Sequence, residues 1–298
     1  MFEELFEIQG EMASAVDLSY RRYLYDEIDW NTRLFAIVGA RGVGKTTLFL
    51  QYYKENFSSP EECLYVSADN VRVSSLGLFN IASEFFKTGG KFFIIDEIHK
   101  YPNWSLELKN IYDSFPKAKV AITGSSSLGI LGKKSDLSRR LMTYYLRGLS
   151  FREYLLLSTG ERFQSYTLEE IIDGHVSIAL SVKNKISPLK HFKDYLKSGY
   201  YPFCFEGREQ YHVKLNNVVE KVISEDIPAL FGVKTSSTQI LRKLVYLVAT
   251  SQPFTPNIER IGSQMDVSKE YIYNYLEYLE KAGIFTFVYS NTKGLKLV

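Results

Sequence analysis

Apolar residues gather first in short, nearly unbroken runs: Leu34–Val38, Cys63–Val66, Phe92–Ile95, Ala118–Thr123 and Met142–Leu146. Runs this short, rich in β-branched and aromatic residues, predict strands of a parallel sheet buried on both faces. Segments of helical character separate them, including Thr46–Phe57 and Trp104–Phe115. Strands alternating with helices predict an α/β fold, a parallel sheet sandwiched by helices.

The flanks read differently. Residues 1 to about 30 have an amphipathic helical pattern with Leu18, Leu24 and Ile28 on one side and a Tyr20-Arg21-Arg22-Tyr23 cluster. From Leu149 to about Ser224 the chain reads as helical, with an aromatic stretch from Tyr195 to Phe205 broken by Gly199 and Pro202. An apolar helix follows over Ile240–Ala249, then a turn over Pro253–Asn257 with Pro256 opening a new element. Ile258–Met265, Asp266-Val267-Ser268 and Lys269–Lys281 form a helix-turn-helix pattern, with Ser268 as N-cap and Ile272, Leu276 and Leu279 as the buried stripe. Ile284–Tyr289 and Leu295–Val298, joined through Asn291-Thr292, predict two strands that complete a winged helix. The domains expected are therefore an α/β sheet domain over 1–148, a helical lid or connector over 149–224, and a winged-helix domain over 225–298.

Candidate chemistry begins where the first apolar run ends. Gly39-Ala40-Arg41-Gly42-Val43-Gly44-Lys45-Thr46-Thr47 has the spacing of a phosphate-binding P-loop and lies between a strand and a helix, as that motif requires. Its glycines let backbone N–H groups wrap an anion, and the following helix N-terminus adds a partial positive charge. Lys45 would reach the β- and γ-phosphates, and Thr46 would ligate Mg²⁺. Alone, the segment also reads as a glycine-rich turn. Downstream, Phe92-Phe93-Ile94-Ile95 runs into Asp96-Glu97, a Walker B pattern. Asp96 would hold Mg²⁺ through its water shell, and Glu97 would orient and polarise the attacking water.

Lys45 and Asp96 stand 51 positions apart, room for an additional strand, Cys63–Val66, between the two motifs. With a glutamate following the aspartate, this arrangement resembles the AAA-like and STAND-like branch of P-loop NTPases. Neither D-x-x-G nor N-K-x-D follows, so ATP is preferred to GTP. In that branch the segment before the first strand often covers the base; Tyr20–Leu24 is either such a lid or a helix packed on the sheet. Ser67-Ala68-Asp69-Asn70 ends the second strand as a simple turn or as an aid to Mg²⁺ and water. A γ-phosphate sensor is expected as a hydroxyl at the tip of the strand Ala118–Thr123, and Ser125 is the choice; a serine N-cap would serve equally. Arg140, preferred to Arg139, would neutralise charge in its own or a neighbouring subunit's site, or stand in a basic surface pair.

A family resemblance rests on the P-loop, Ile95–Trp104, Ile122–Ser127, Asp136–Arg140 and Leu149–Tyr154. Together they resemble a large group of bacterial and archaeal AAA-superfamily ATPases in which a P-loop domain precedes a domain of unknown function. Gly199–Phe203, Glu225–Pro228 and Pro253–Asn257 extend the resemblance, more loosely, through the second half. It implies a recurring arginine at Arg140. Members usually continue into a restriction-endonuclease-like domain, whereas this sequence stops at Val298 inside the expected wing. No nuclease constellation is therefore assigned.

Composition adds limits. Formal net charge is +2 over 298 residues, so nucleic-acid binding would need a local patch. Cys63 and Cys204 lack metal-ligand spacing and read as buried thiols. No apolar run approaches the about 18 residues of a membrane span, and the N-terminus is acidic, so a soluble cytoplasmic protein is expected. In Ser268–Lys281, Lys269 and Lys281 face Glu270, Glu277 and Glu280, a net negative helix that phosphates would repel. Tyr271, Tyr275 and Tyr278 form a second stripe better suited to a protein partner, while Lys293 and Lys296 keep duplex DNA as the weaker reading. The function expected is Mg²⁺-dependent ATP hydrolysis that moves the winged-helix module. The alternatives are a nucleotide-gated DNA-binding regulator and a scaffold holding ATP without turnover. Whether an oligomer forms is open.

Overall fold

The computed structural model describes residues 2–124, 137, 139–252 and 255–288. Five parallel strands, β1 Leu34–Val38, β2 Cys63–Ser67, β3 Phe92–Asp96, β4 Lys119–Gly124 and β5 Met142–Tyr145, form one sheet in the order β2-β3-β4-β1-β5. Each of the five strands expected for this sheet lies within a residue of its observed bounds. In register, Val38 faces Gly124 and Tyr145, and Ser67 faces Asp96, so the strand tips share one edge.

Because β1 and β3 are buried along their whole length, alternate residues feed two apolar layers. Leu34, Ala36, Phe93, Ile95 and Ile122 pack with α4 Val71–Leu76, α5 Leu78–Lys87 and α6 Trp104–Ser114. Phe35, Ile37, Phe92, Ile94 and Ala121 pack with α2 Leu24–Glu27 and α3 Lys45–Asn56.

The first helix is shorter than its pattern suggests. α1 runs Glu3–Ser14, and the chain leaves the helix where Asp17 accepts bonds from the Ser19 amide and hydroxyl, both at 2.7 Å. A local carboxylate acceptor of this kind competes with the helical ladder. α1 covers the free edge of β2 through fully buried Gln9, which donates to the Cys63 carbonyl (2.8 Å) and accepts from the Tyr65 amide (2.7 Å). One side chain thus stands in for a neighbouring strand.

Beyond β5 come α7 Phe151–Thr159 and α8 Leu168–Lys185, each opened by a capping box, and then α9 Pro188–Ser198. α10 Tyr211–Lys221 continues through a π turn, Val222–Asp226, into α11 Ile227–Phe231. Pro228 lacks an N–H for the Ser224 carbonyl, and its ring would crowd that carbonyl, which explains the widened turn. A third apolar cluster joins Val222, Ile223 and Ile227 to α12 Thr238–Thr250, α13 Ile258–Met265 and α14 Lys269–Lys281. It begins inside the helix that spans the expected boundary at 224/225.

α13 and α14 form the expected helix-turn-helix, with Ile272, Leu276 and Leu279 buried between them and α12. Four details differ. Asn257, not Pro256, opens α13, its side chain accepting from the Arg260 amide (2.9 Å), and Ser268 caps α14 by backbone conformation alone. Tyr275 is buried and Tyr278 stacks on Phe231 at 3.8 Å, so the tyrosine stripe is partly absorbed by the core; Tyr271 and Tyr273 stay exposed. Ile284–Val288 contains no strand: Phe285 and Phe287 pack onto the third cluster, and the Phe287 amide donates to Glu280 (3.2 Å) instead of to a ladder. The other expected wing residues, 289–298, and Pro253 and Phe254 lie outside the described residues. No helix among the described residues is long and apolar enough to cross a membrane.

Gln9→Leu keeps volume but leaves a buried carbonyl and amide of β2 unpaired. It is expected to lower unfolding free energy by about 2 kcal/mol or more in urea titration. Hydrogen exchange at the Tyr65 amide should accelerate with it.

Candidate nucleotide site

The loop after β1 turns on glycines at positive φ. Gly42 (φ 83°) and Gly44 (φ 97°) reverse the chain so that α3 starts at Lys45 with its free amides turned to the loop. Lys45 is buried and its Nζ donates to the carbonyls of Gly39 (2.9 Å) and Ala40 (3.0 Å). Burial lowers the pKa of its ammonium, opposed by the nearby Glu97 and Asp96 carboxylates.

Asp96, at the tip of β3, gathers the neighbouring elements. Oδ2 accepts from the Thr46 hydroxyl (2.5 Å) and from the Tyr65 hydroxyl (2.8 Å); Oδ1 accepts from the Thr123 hydroxyl and the Glu97 amide (3.0 Å). Thr46 and Asp96 are therefore together, and their hard oxygens are the donor set Mg²⁺ prefers. Thr123 was not among the expected site residues. Its hydroxyl, fully buried at the tip of β4, also accepts from the Glu97 amide (3.0 Å). A hydroxyl interrupting the apolar end of β4 was the sequence signal for it. Ser125, the expected sensor, lies outside the described residues.

Glu97 adopts left-handed backbone (φ 52°), which turns its side chain away from the strand line. Its Oε2 is buried with no hydrogen-bond partner among the described residues; His99 Nε2 and Lys100 Nζ each stand 3.6 Å away. Burial raises its carboxyl pKa, Lys45 pulls it down, and Asp96 adds to the rise. Arg41 reaches from the loop to buried Asp226 of the π turn (3.4 Å), and its Nε has no hydrogen-bond partner among the described residues.

These groups open on a cavity of about 760 Å³. One wall is Arg41, Gly42, Gly44, Lys45, Thr46 and Thr47 with Glu97; the opposite wall comes from α10, the π turn and the Pro202-Phe203 segment. A cradle of backbone amides, a buried lysine and an orphaned arginine nitrogen suits a polyphosphate, and the Thr46–Asp96 pair suits its metal. A Cβ on Gly42 would stand 3.1 Å from the Phe203 ring, so the aromatic segment lies directly on the loop. Val43 is buried in the same layer as Phe203 and Tyr201. Gly283, beyond α14, meets Ala40 from the other side: a Cβ there would be 3.2 Å from the Ala40 Cβ.

Arg22 holds the loop from behind. Nearly buried, it donates through Nε to Glu153 (2.8 Å), through Nη1 to the Val43 carbonyl, and through Nη2 to the carbonyls of Arg147 (2.7 Å) and Gly148 (3.0 Å). Of the two readings of Tyr20–Leu24, this places the segment against the sheet and loop by way of Arg22.

Arg140 is not part of this constellation. It precedes β5, whose Met142 pairs with Phe35 near the start of β1, and it pairs with Asp113 (3.2 Å) at the end of α6. Parallel strands therefore put it at the sheet edge opposite the loop, a strand length of roughly 16 Å away. A role in its own site is corrected by this topology.

Residues 31–155 match the family described as AAA domain, and residues 189–296 match a domain of unknown function (DUF8612). The uncharacterized protein MJ1637 of Methanocaldococcus jannaschii is 27% identical over 86% of this chain and 56% of its own length. Its compatriot MJ1544 is 23% identical over 84% and 55%. The chain thus spans a little over half the length of these curated relatives. Among solved structures, AMPPCP-bound DnaA from Aquifex aeolicus aligns over 95% of this chain and 89% of its own at 13% identity and a TM-score of 0.35. The Aeropyrum pernix ORC1 protein in complex with DNA aligns over 99% and 86% at 14% identity and a TM-score of 0.37. Both likenesses are too slight to carry a statement on function. The match to an AAA domain thus covers the part of the chain that carries the phosphate-loop motif and the Asp96-Glu97 strand tip.

His99 gives this region a pH signature. Burial lowers its pKa from 6.5 to about 4, with Asp226 opposing and Lys100, Lys45 and Arg41 assisting. The unfolded chain takes up a proton near pH 6.5 that the folded protein refuses. This contribution is therefore full above about pH 6.5 and lost as pH falls towards 4. Glu97, whose carboxyl protonates more readily when folded, offsets part of the loss at the acid end. Melting temperature should fall with pH across this window, and more shallowly in His99→Gln. An unchanged slope in the variant would assign the effect elsewhere.

Proposed function

We propose that this chain binds ATP with Mg²⁺ and hydrolyses it in the cytoplasm, and that bound nucleotide repositions the C-terminal helical module. The observation that carries the reading is the convergence of Lys45, Thr46 and Glu97, with Asp96 bonded behind Thr46, on one cavity whose far wall belongs to the second half of the chain. In this reading the amides of Gly39–Thr47 cradle the phosphates and Lys45 pairs with the β- and γ-phosphates. Thr46 and Asp96 hold Mg²⁺, which neutralises phosphate charge when bound. Glu97 accepts the proton of the water that attacks the γ-phosphorus as the bond to the bridging oxygen breaks. Its raised pKa suits a general base. Thr123 fixes both carboxylate residues through Asp96 and the Glu97 amide.

Coupling follows from Arg41. Phosphates at the loop would compete with Asp226 for its guanidinium, and Asp226 belongs to the π turn that leads into the third apolar cluster. Arg140 could serve only a neighbouring subunit's site. Exposed Tyr271 and Tyr273 on net negative α14 favour a protein partner over duplex DNA for the helix-turn-helix.

Glu97→Gln should keep Mg²⁺-ATP binding in calorimetry while phosphate release falls by about 100-fold or more. Lys45→Ala should lose binding itself. Normal turnover by Glu97→Gln would remove the proposed base. Asp226→Asn should tighten ATP binding by about five-fold or more if Arg41 is the coupling group, and duplex DNA should leave turnover unchanged.

A further inference from the structure

The helix α8 stands apart from the rest of the fold. It is 18 residues long, none of its residues is buried, and none joins any of the three apolar clusters. Yet it is rich in large apolar side chains: Leu168, Ile172, Val176 and Leu180 are 67%, 63%, 60% and 53% exposed. A helix with this composition, capped at its start and surrounded by solvent among the described residues, has an apolar face awaiting cover.

We propose that α8 pairs antiparallel with α8 of a second copy of this chain, about a two-fold axis through Val176. The pattern along one face is self-complementary. Glu169, Ile172, Val176, Leu180 and Lys183 are spaced by three, four, four and three positions, which keeps them on a single helical stripe. Reversing a second stripe about Val176 sets Val176 against its equivalent, Ile172 against Leu180, and Glu169 against Lys183 at both ends. An isologous contact requires this of a surface: the patch must fit its own two-fold image. Both charged ends are exposed, and neither Glu169 nor Lys183 makes an ion pair among the described residues. Lys185, off the stripe, is held by Glu161 (3.1 Å) and fixes the helix end without occupying the face. A capping box between Thr167 and Glu170 fixes the other end.

The pairing surface is small, so a reversible dimer is expected. Sedimentation equilibrium of the full 298-residue chain, over about 1 µM to 1 mM, should show monomer and dimer in exchange. Ile172→Glu with Val176→Glu should weaken association, raising the dimer Kd at least about tenfold, while melting temperature is unchanged. Glu169→Lys and Lys183→Glu should each weaken the dimer, and the two together should restore it, because each lysine then faces a glutamate of the other copy. A monomer throughout the range overturns the proposal, as does a dimer indifferent to the charged variants. A monomer whose melting temperature falls on Ile172→Glu with Val176→Glu also overturns it, by showing that the stripe is covered within its own chain. Failure of the charge-swapped pair to re-form the dimer overturns the antiparallel register. These readouts are independent of ATP binding and turnover.

Discussion

A guanidinium placed under the phosphate loop has to find acceptors, because an unpaired charge there would cost several kcal/mol. Arg22 finds four, and they come from three separate pieces of chain: the loop itself at Val43, the stretch after β5 at Arg147 and Gly148, and the first turn of α7 at Glu153. Glu153 in turn closes the capping box of α7 and accepts the Tyr23 amide. Arginine near the base of the loop, carboxylate in the helix cap and carbonyls on both sides form one satisfied network. The planar fork of arginine serves several directions at once, which a lysine ammonium would not do in the same geometry. The shape of the loop thus depends on an ion pair that lies outside the lining of the cavity, and the segment after β5 is fixed to the loop by the same contact.

Much of the first half was legible because its signals are local. A continuous apolar run is its own announcement of a buried strand, and the P-loop and Walker B spacings place Lys45, Thr46, Asp96 and Glu97 at the tips of β1 and β3 by topology alone. What stayed hidden depends on pairing across long sequence separations. Nothing around Gln9 indicates that its amide will complete the edge of β2 some fifty residues on, and a glutamine in an amphipathic helix ordinarily reads as a solvent-facing residue. Thr123 looked like one more strand residue until β3 lay beside it. Arg140 failed for a related reason: sequence places it near a strand, but only the parallel sheet tells which edge.

The second half misled where composition and packing diverge. Tyr271, Tyr275 and Tyr278 share a helical stripe, but the stripe straddles the core boundary, so that two serve the interior and one the surface. The expected wing strands were inferred from apolar content, and in Ile284–Val288 that content is spent on packing against α12 and α14. Conversely, the aromatic stretch Tyr195–Phe205, which composition could assign only to a connector, lays Phe203 on Gly42 and supplies part of the wall of the cavity.

The π turn between α10 and α11 holds one more residue than an α-helix of the same rise, with the Ile227 amide bonded back to Val222. That surplus residue is a phase shift. If the helix ran on with ordinary spacing, everything after Val222 would rotate by about 100° relative to what precedes it. Asp226 would leave Arg41, and Ile227, now sealed in the third cluster, would turn towards water. Because the pyrrolidine ring of Pro228 prevents the ladder from closing normally, a single residue sets the angular register between the loop and the C-terminal module. Insertions or deletions of one residue in this helix should therefore be far less tolerable than substitutions along it.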